Sequence, residues 1–152
     1  MKEFHLERSI VVKRSLAEVY EFFSDPANLQ ELTPPWLDFR VVGSSTAGVE
    51  VGTTIDYRLK VRGLPIRWRS LISAWDPPRS FVDEQVKGPY RMWHHTHTFE
   101  EVDDGVRVGD FVRYAVPGCL LFEGLVERML VGPDVRLIFD YRMERMGEIF
   151  SD

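Results

Sequence analysis

The chain has 152 residues, 44% hydrophobic and 28% charged, the balance of one globular domain over 1–152 that needs neither a metal nor a disulfide for its core. Its net charge is −5, and the nearest approach to a basic patch, Arg62, Arg67 and Arg69, flanks or alternates with apolar residues, so no nucleic-acid partner is expected. No run approaches the roughly 18 apolar residues of a membrane span, MKEFHLERSIVV lacks the apolar core of a secretory signal, and the lone Cys119 excludes an intramolecular disulfide, so a cytoplasmic setting is expected.

Phe4 to Val12 is rich in β-branched and apolar residues and reads as the first strand. Ser15 followed by Glu18 is a capping box, and Leu16, Val19, Tyr20 and Phe23 then share one helical face. Asp25-Pro26 stops that helix and opens a second short one, which ends near Thr33-Pro34-Pro35. From there the punctuation changes. Alternating apolar runs are separated by turn clusters at 44–48, 62–65, 76–78, 87–89 and 103–105, which predicts strands near 38–44, 52–62, 65–75, 80–87, 91–101 and 105–115. Pro117-Gly118 ends the sheet, Leu120 to Val131 looks helical, and Gly132-Pro133 interrupts before a final helix of about sixteen residues. In that helix Val135, Ile138, Phe139, Arg142, Met146 and Ile149 form an amphipathic stripe.

One strand, two short helices, six strands and one long helix make an α+β arrangement with a single helix left to cover a seven-stranded antiparallel sheet. A helix about 10 Å wide cannot fill the concave face of such a sheet. A hollow follows, and an apolar hollow with a few convergent polar groups is a place for a small molecule.

The pattern resembles the START-like, or helix-grip, superfamily, which includes the birch pollen allergen, aromatic polyketide cyclases and lipid-transfer domains. The resemblance spans nearly the whole chain. It is carried best by Pro77-Pro78-Arg79-Ser80-Phe81-Val82-Asp83-Glu84-Gln85, by Gly88-Pro89-Tyr90-Arg91-Met92-Trp93-His94-His95-Thr96-His97-Thr98-Phe99 and by Ile138-Phe139-Asp140-Tyr141-Arg142. These segments are similar to a bacterial subgroup described as ligand-binding or cyclase/dehydrase-like. The resemblance implies a curved antiparallel sheet gripping a long C-terminal helix, and a cavity used for binding, transport or catalysis. It brings no established catalytic motif with it.

Alternation along 91–101 sends Trp93, His95, His97 and Phe99 to one face, and along 80–87 the matching set is Phe81, Asp83 and Gln85. A turn at 87–90 that sets Gln85 opposite Trp93 also sets Asp83 opposite His95. A two-residue turn at Asp104-Gly105 would place Phe99 opposite Asp110, His97 opposite Val112 and His95 opposite Tyr114. This is the more apolar face, so it is assigned to the concave side, with His94 on the other.

A carboxylate beside a buried imidazole favours its charged form while burial favours the neutral one, so these histidines could shift either way. Asp83 with His95 resembles the base-and-orienter half of a triad, but no serine stands beside it and Cys119 follows the sheet. General acid–base chemistry would use His95 or His97 as base and Tyr114 as donor. The plainer alternative is a satisfied buried network that solvates a ligand's polar end. His95 and His97, at i and i+2, lie about 7 Å apart along the strand and could chelate a metal with Asp83 or Asp110. No metal or cofactor is expected, because no further histidine stands near.

Tyr57 with Ile55 and Leu59, and Trp68 with Ile66 and Ile72, form inward strand faces whose first role is packing. Phe139, Arg142 and Met143 lie on or beside the buried stripe of the last helix, where Arg142 either pairs with an acid or snorkels to solvent. Trp36-Leu37 sits where it could hinge over the cavity mouth. The expected function is binding or carriage of a small hydrophobic or aromatic molecule, in contact with Trp93, His95, His97, Phe99, Asp83, Gln85, Asp110, Tyr114, Tyr57, Trp68, Phe139 and Arg142. The alternative is a polyketide cyclase/dehydratase-like enzyme using His95, His97 and Tyr114.

Overall fold

The computed structural model describes residues 2–116 and 122–151. Pro117-Gly118, Cys119 and Leu120 therefore lie outside the described residues. The first strand, β1, is Phe4–Val12 and leads into α1, Leu16–Phe23. Ser15 caps α1 by accepting the Glu18 N–H at 3.2 Å, and its hydroxyl in turn donates to the Glu18 carboxylate at 3.0 Å. Asp25 accepts the Ala27 N–H ahead of a 3-10 turn at Pro26–Asn28, which runs into α2, Leu29–Leu32. A second 3-10 turn at Pro35–Leu37 precedes the strands β2 (Arg40–Ser44), β3 (Thr54–Val61), β4 (Leu64–Asp76), β5 (Ser80–Lys87), β6 (Met92–Val102) and β7 (Gly105–Ala115).

All seven strands join one curved antiparallel sheet in the order β1-β7-β6-β5-β4-β3-β2. Register breaks in β2, between Val41 and Gly43, and in β4, at Arg69/Ser70 and Ile72/Ala74, add local twist and bend. The β3–β4 turn is tight, with Arg62 at φ 52° and Gly63 at φ 81° as its two central residues, the positive angles of a type I′ hairpin.

Asp83 pairs with His95, as the alternation requires. The β6–β7 register differs from the sequence expectation by two residues. Val102 pairs with Gly105, so the turn is Asp103-Asp104, and His97 lies opposite Asp110, His95 opposite Val112, Phe99 opposite Val108 and Trp93 opposite Tyr114. Gly105 has φ 146°, and a Cβ there would collide with the backbone carbonyl of Val12. Because the shift is even, every side chain keeps its expected face.

The last helical run also differs from expectation. It begins by Glu123 and continues to Ile149 as α3 (Glu123–Val126), a π-helical segment (Glu127–Val131) and α4 (Gly132–Ile149). Gly132-Pro133 does not interrupt it. Proline has no N–H and its ring crowds the carbonyl four residues back, and the wider π turn just ahead of Pro133 absorbs both defects.

Seven strands about 4.8 Å apart span roughly 30 Å, three times the width of one helix. Helix α4 packs on β1 and α2, so the helix covers one side of the concave face. Two apolar clusters anchor it. Val135 and Phe139 meet Leu6, Val112 and Tyr114. Met146 and Phe150 join α1 residues Val19, Tyr20 and Phe23 over Phe81 and Phe99. The inner face of β3, β4 and β5 is left with space above it.

Candidate functional site

That space is a cavity of about 590 Å³ between the sheet and α4. Its walls are aromatic and aliphatic, with Phe39, Tyr57, Leu59, Ile66, Trp68, Tyr90, Trp93 and Phe139 all on the lining. The rings brace one another. Trp68 meets Trp93 edge-on at 5.4 Å, Tyr90 leans on Trp93 at 4.8 Å, and Phe39 covers Tyr57 at 4.8 Å. Ser70, Asp83, His95, His97 and Arg142 supply the polar lining.

These polar groups form a closed set of crossed bonds. Asp83 lies opposite His95 in the sheet, yet its Oδ2 binds His97 Nε2 at 2.5 Å. His95 Nε2 reaches instead to Asp110 Oδ1 at 2.7 Å. Arg142 comes down from α4 to give Nε–H to Asp110 Oδ2 at 2.7 Å, and its Nη2 lies 3.3 Å from His97 Nδ1. The two imidazoles stack at 3.7 Å, and His97 lies flat on Phe81 at 4.0 Å. Arg142 is 6% exposed, so it is a buried ion-pair partner and does not snorkel to solvent.

The partners fix the tautomers. A guanidinium only donates, so His97 Nδ1 must accept and Nε2 carries the hydrogen given to Asp83. His97 is accordingly held neutral. Burial lowers its pKa to about 4, with the neighbouring His95 acting in the same sense, against the raising pull of Asp83. For Asp83 and Asp110, burial alone would raise the pKa. Asp83 is held below the usual carboxylate range by His95, the His97 hydrogen bond and Arg142, and Asp110 is held down chiefly by Arg142 and then His95. Both are ionised at neutral pH.

Asp83, His95 and His97 bring candidate ligand atoms within 4.8 Å of one another. Their hydrogen bonding does not suit a metal. An ion on His97 Nε2 would push the ring hydrogen to Nδ1, where it would confront the Arg142 donor. The set is built instead as a hydrogen-bonded network.

Of the residues singled out from sequence, Asp83, His95, His97, Trp93, Tyr57, Trp68, Phe139 and Arg142 all reach the cavity wall. Four stand away from it. Phe99 is packed among Tyr20, Phe23 and Phe81. The Gln85 amide is turned back on its own hairpin, bonded to Tyr90 O at 2.7 Å and Tyr90 N at 3.0 Å. Asp110 is 3% exposed behind His95 and Arg142. Tyr114 donates its hydroxyl to Glu127 at 2.9 Å, under the π turn, and so is not placed to serve as an acid in the cavity. Ser70, Tyr90 and Phe39 were missed. Ser70 shares the phase of Trp68 and Ile72, and Phe39 that of Val41 in the strand expected near 38–44, so alternation could have found both, whereas Tyr90 lies outside the strands, where no period operates.

The mouth is framed by the Pro35–Leu37 turn, the Arg62-Gly63 turn and the first half of α4. Trp36 lines it, 57% exposed, with its ring edge-on to Tyr141 at 5.8 Å. Across it Arg62 and Asp134 form a two-point ion pair at 3.1 and 3.3 Å.

Solved structures that share this architecture include three of low identity. Protein CV1439 from Chromobacterium violaceum is 14% identical with a TM-score of 0.72, covering 100% of this chain and 99% of its own. Ginseng major latex-like protein 151 from Panax ginseng is 11% identical with a TM-score of 0.71, covering 99% of each chain. The Zhui aromatase/cyclase from Streptomyces sp. R1128 is 13% identical with a TM-score of 0.67, covering 97% of this chain and 96% of its own. No curated protein matches the sequence. At such identities these likenesses establish the helix-grip fold. Residues 3–149 match the family described as polyketide cyclase / dehydrase and lipid transport, and the chain belongs to that family.

Proposed function

We propose that the chain acts as one binding unit that holds or carries a small hydrophobic or aromatic molecule in the cavity beneath α4. One observation carries this reading: a hollow of about 590 Å³ with aromatic walls and its polar groups gathered around Asp83, His95 and His97. Among the described residues no helix is long and apolar enough to cross a membrane. The single cysteine supports a reducing, cytoplasmic setting.

Native mass spectrometry of the purified protein tests the reading, combined with titration by planar aromatic probes read through Trp68 and Trp93 fluorescence. The expected result is a small molecule that leaves on denaturation, or saturable quenching by a probe. A bare protein mass together with unquenched tryptophans would overturn it.

A second reading, a cyclase/dehydratase-like enzyme, is favoured by one feature. His95 gives its Nε2–H to Asp110, and its Nδ1 has no hydrogen bond among the described residues while the ring lines the cavity. In the neutral ring that nitrogen is a base. Here a His95→Gln variant would keep probe binding and lose turnover of a polyketide-like substrate.

A further inference from the structure

We propose that the chain docks on an anionic lipid bilayer, without crossing it, through the outer face of β2, β3 and β4 and the apolar rim beside that face. The proposal concerns a surface and is independent of what the cavity holds.

Arginines that are scattered in sequence are gathered by strand register. Arg40 on β2 lies opposite Arg58 on β3, and Arg58 lies opposite Arg67 on β4, so three guanidiniums form one row across three strands. Tyr57 and Leu59 flank Arg58, Ile66 and Trp68 flank Arg67, and all four line the cavity. Alternation therefore turns the row outward, where all three arginines are exposed. Like charges directly opposite one another destabilise a sheet, with Cβ atoms only about 5 Å apart. The neighbouring acids do not relieve the row. Asp56 is taken by Arg69, and Asp38 is shared between Arg40 and Lys60. Among the described residues Arg58 and Arg67 make no ion pair. The chain as a whole carries −5, so this cationic face is a local reversal that an anionic partner would single out.

The rim identifies the kind of partner. Trp36, Leu64 and Leu137 stand around the mouth, each more than half exposed. Large apolar side chains next to free cations suit a lipid interface, where Trp and Leu enter the acyl boundary while Arg and Lys meet the phosphates. A nucleic acid would use the cations and leave the apolar rim in water. The dimensions agree with a bilayer. Leu64 is at the tip of the β3–β4 hairpin, and Arg67 lies three residues behind it, roughly 10 Å along the strand. Interfacial apolar groups enter to a depth of about 5–10 Å. With Leu64 in the boundary, Arg58 and Arg67 therefore reach the headgroup layer, and the mouth is turned to the bilayer.

Co-sedimentation of the full chain with vesicles tests the proposal. Binding to phosphatidylcholine vesicles containing about 30% phosphatidylglycerol is expected to be at least about tenfold stronger than to phosphatidylcholine alone, and to weaken as salt is raised. The double variant Arg58→Gln with Arg67→Gln changes two exposed residues and removes like-charge repulsion. It is expected to bind the anionic vesicles about tenfold more weakly with no loss of thermal stability. Leu64→Ser is expected to weaken the same binding about fivefold and leave its salt dependence unchanged. Should a variant fail to fold, the lipid and salt dependence of the unaltered protein still decides. No preference for the anionic vesicles, or a preference that the double arginine variant leaves within about twofold, overturns the proposal. Retention on polyglutamate or heparin without vesicle binding would assign the arginine row to an acidic macromolecule and overturn it equally. Each of these outcomes leaves the cavity reading untouched, since quenching of Trp68 and Trp93 by aromatic probes is measured without vesicles.

Discussion

His97 divides its two ring nitrogens between opposite duties. Nε2 gives a hydrogen to Asp83 on β5, and Nδ1 accepts one from Arg142 on α4, while Asp110 on β7 and the stacked His95 on β6 complete its surroundings. A second proton would have to displace the guanidinium. With the folded pKa near 4 and an unfolded value of 6.5, the unfolded chain takes up a proton at this residue that the native chain refuses. Stability from this residue is therefore full above pH 6.5, falls as pH drops toward about 4, and is constant below. The total is about 3 kcal/mol at roughly 1.4 kcal/mol per unit. Asp83 and Asp110, with lowered pKa values, add their own losses only as pH falls below the ordinary carboxylate value of 3.8. Urea unfolding at pH 7 and pH 5 is expected to show a loss of about 2 kcal/mol that a His97→Gln variant lacks. Equal stability of the unaltered protein at the two pH values would contradict the assigned tautomer. Strand alternation brings these four polar residues of the sheet to one face, but it cannot say which carboxylate takes which imidazole. The directly opposite pair, Asp83 and His95, is not the hydrogen-bonded pair, since each bond runs diagonally, and Arg142, which no strand period reveals, adds its own bonds to Asp110 and His97.

At the scale of elements, the strands are legible because each has to hide one face, and a period of two survives even where pairing is misjudged by two residues. The β6–β7 register was misjudged because Asp103, Asp104 and Gly105 are all good turn residues, and only the packing of Gly105 against Val12 shows which two form the turn. The helical run was less legible, since Gly132-Pro133 reads as a break by local rules and only the π turn ahead of it reconciles proline with continuity. Loops were the least legible. The Arg62-Gly63 turn carries Arg62 to Asp134 of α4, a clasp between two elements that frame the cavity mouth and that no sequence period connects. The pair is exposed, so Asp134→Ala is expected to change unfolding stability by about 0.5 kcal/mol or less. The same change frees the hairpin tip from the helix and is expected to raise the dissociation rate of a bound aromatic probe about threefold in stopped-flow fluorescence, with little change in the association rate. An unaltered dissociation rate would mean that ligands leave by another route.

The whole molecule trades packing for space. Its core is split into two clusters at either end of α4, one with Val135 and Phe139 and one with Met146 and Phe150, and the hollow lies beside them over β3–β5. Side chains on the hollow's wall have lost van der Waals partners on one side, a deficit that a well-packed interior does not carry. Filling the hollow should then raise stability and abolish binding together, which no variant in a solid core would do. Ile66 is suited to the test, since it is half-buried on β4, paired with Leu59, and lines the cavity. Ile66→Trp extends an apolar ring across the cavity at a strand position where aromatic residues are favoured. The expected outcome is a rise in melting temperature of about 2–4 °C for each kcal/mol of new apolar burial, with loss of quenching by planar aromatic probes and loss of any co-purifying molecule. The unaltered protein should gain a comparable shift only when ligand is added, about 2.7 kcal/mol at a hundredfold excess over its dissociation constant. A lower melting temperature for Ile66→Trp, with binding intact, would mean that the space above β4 is not the place where ligand sits.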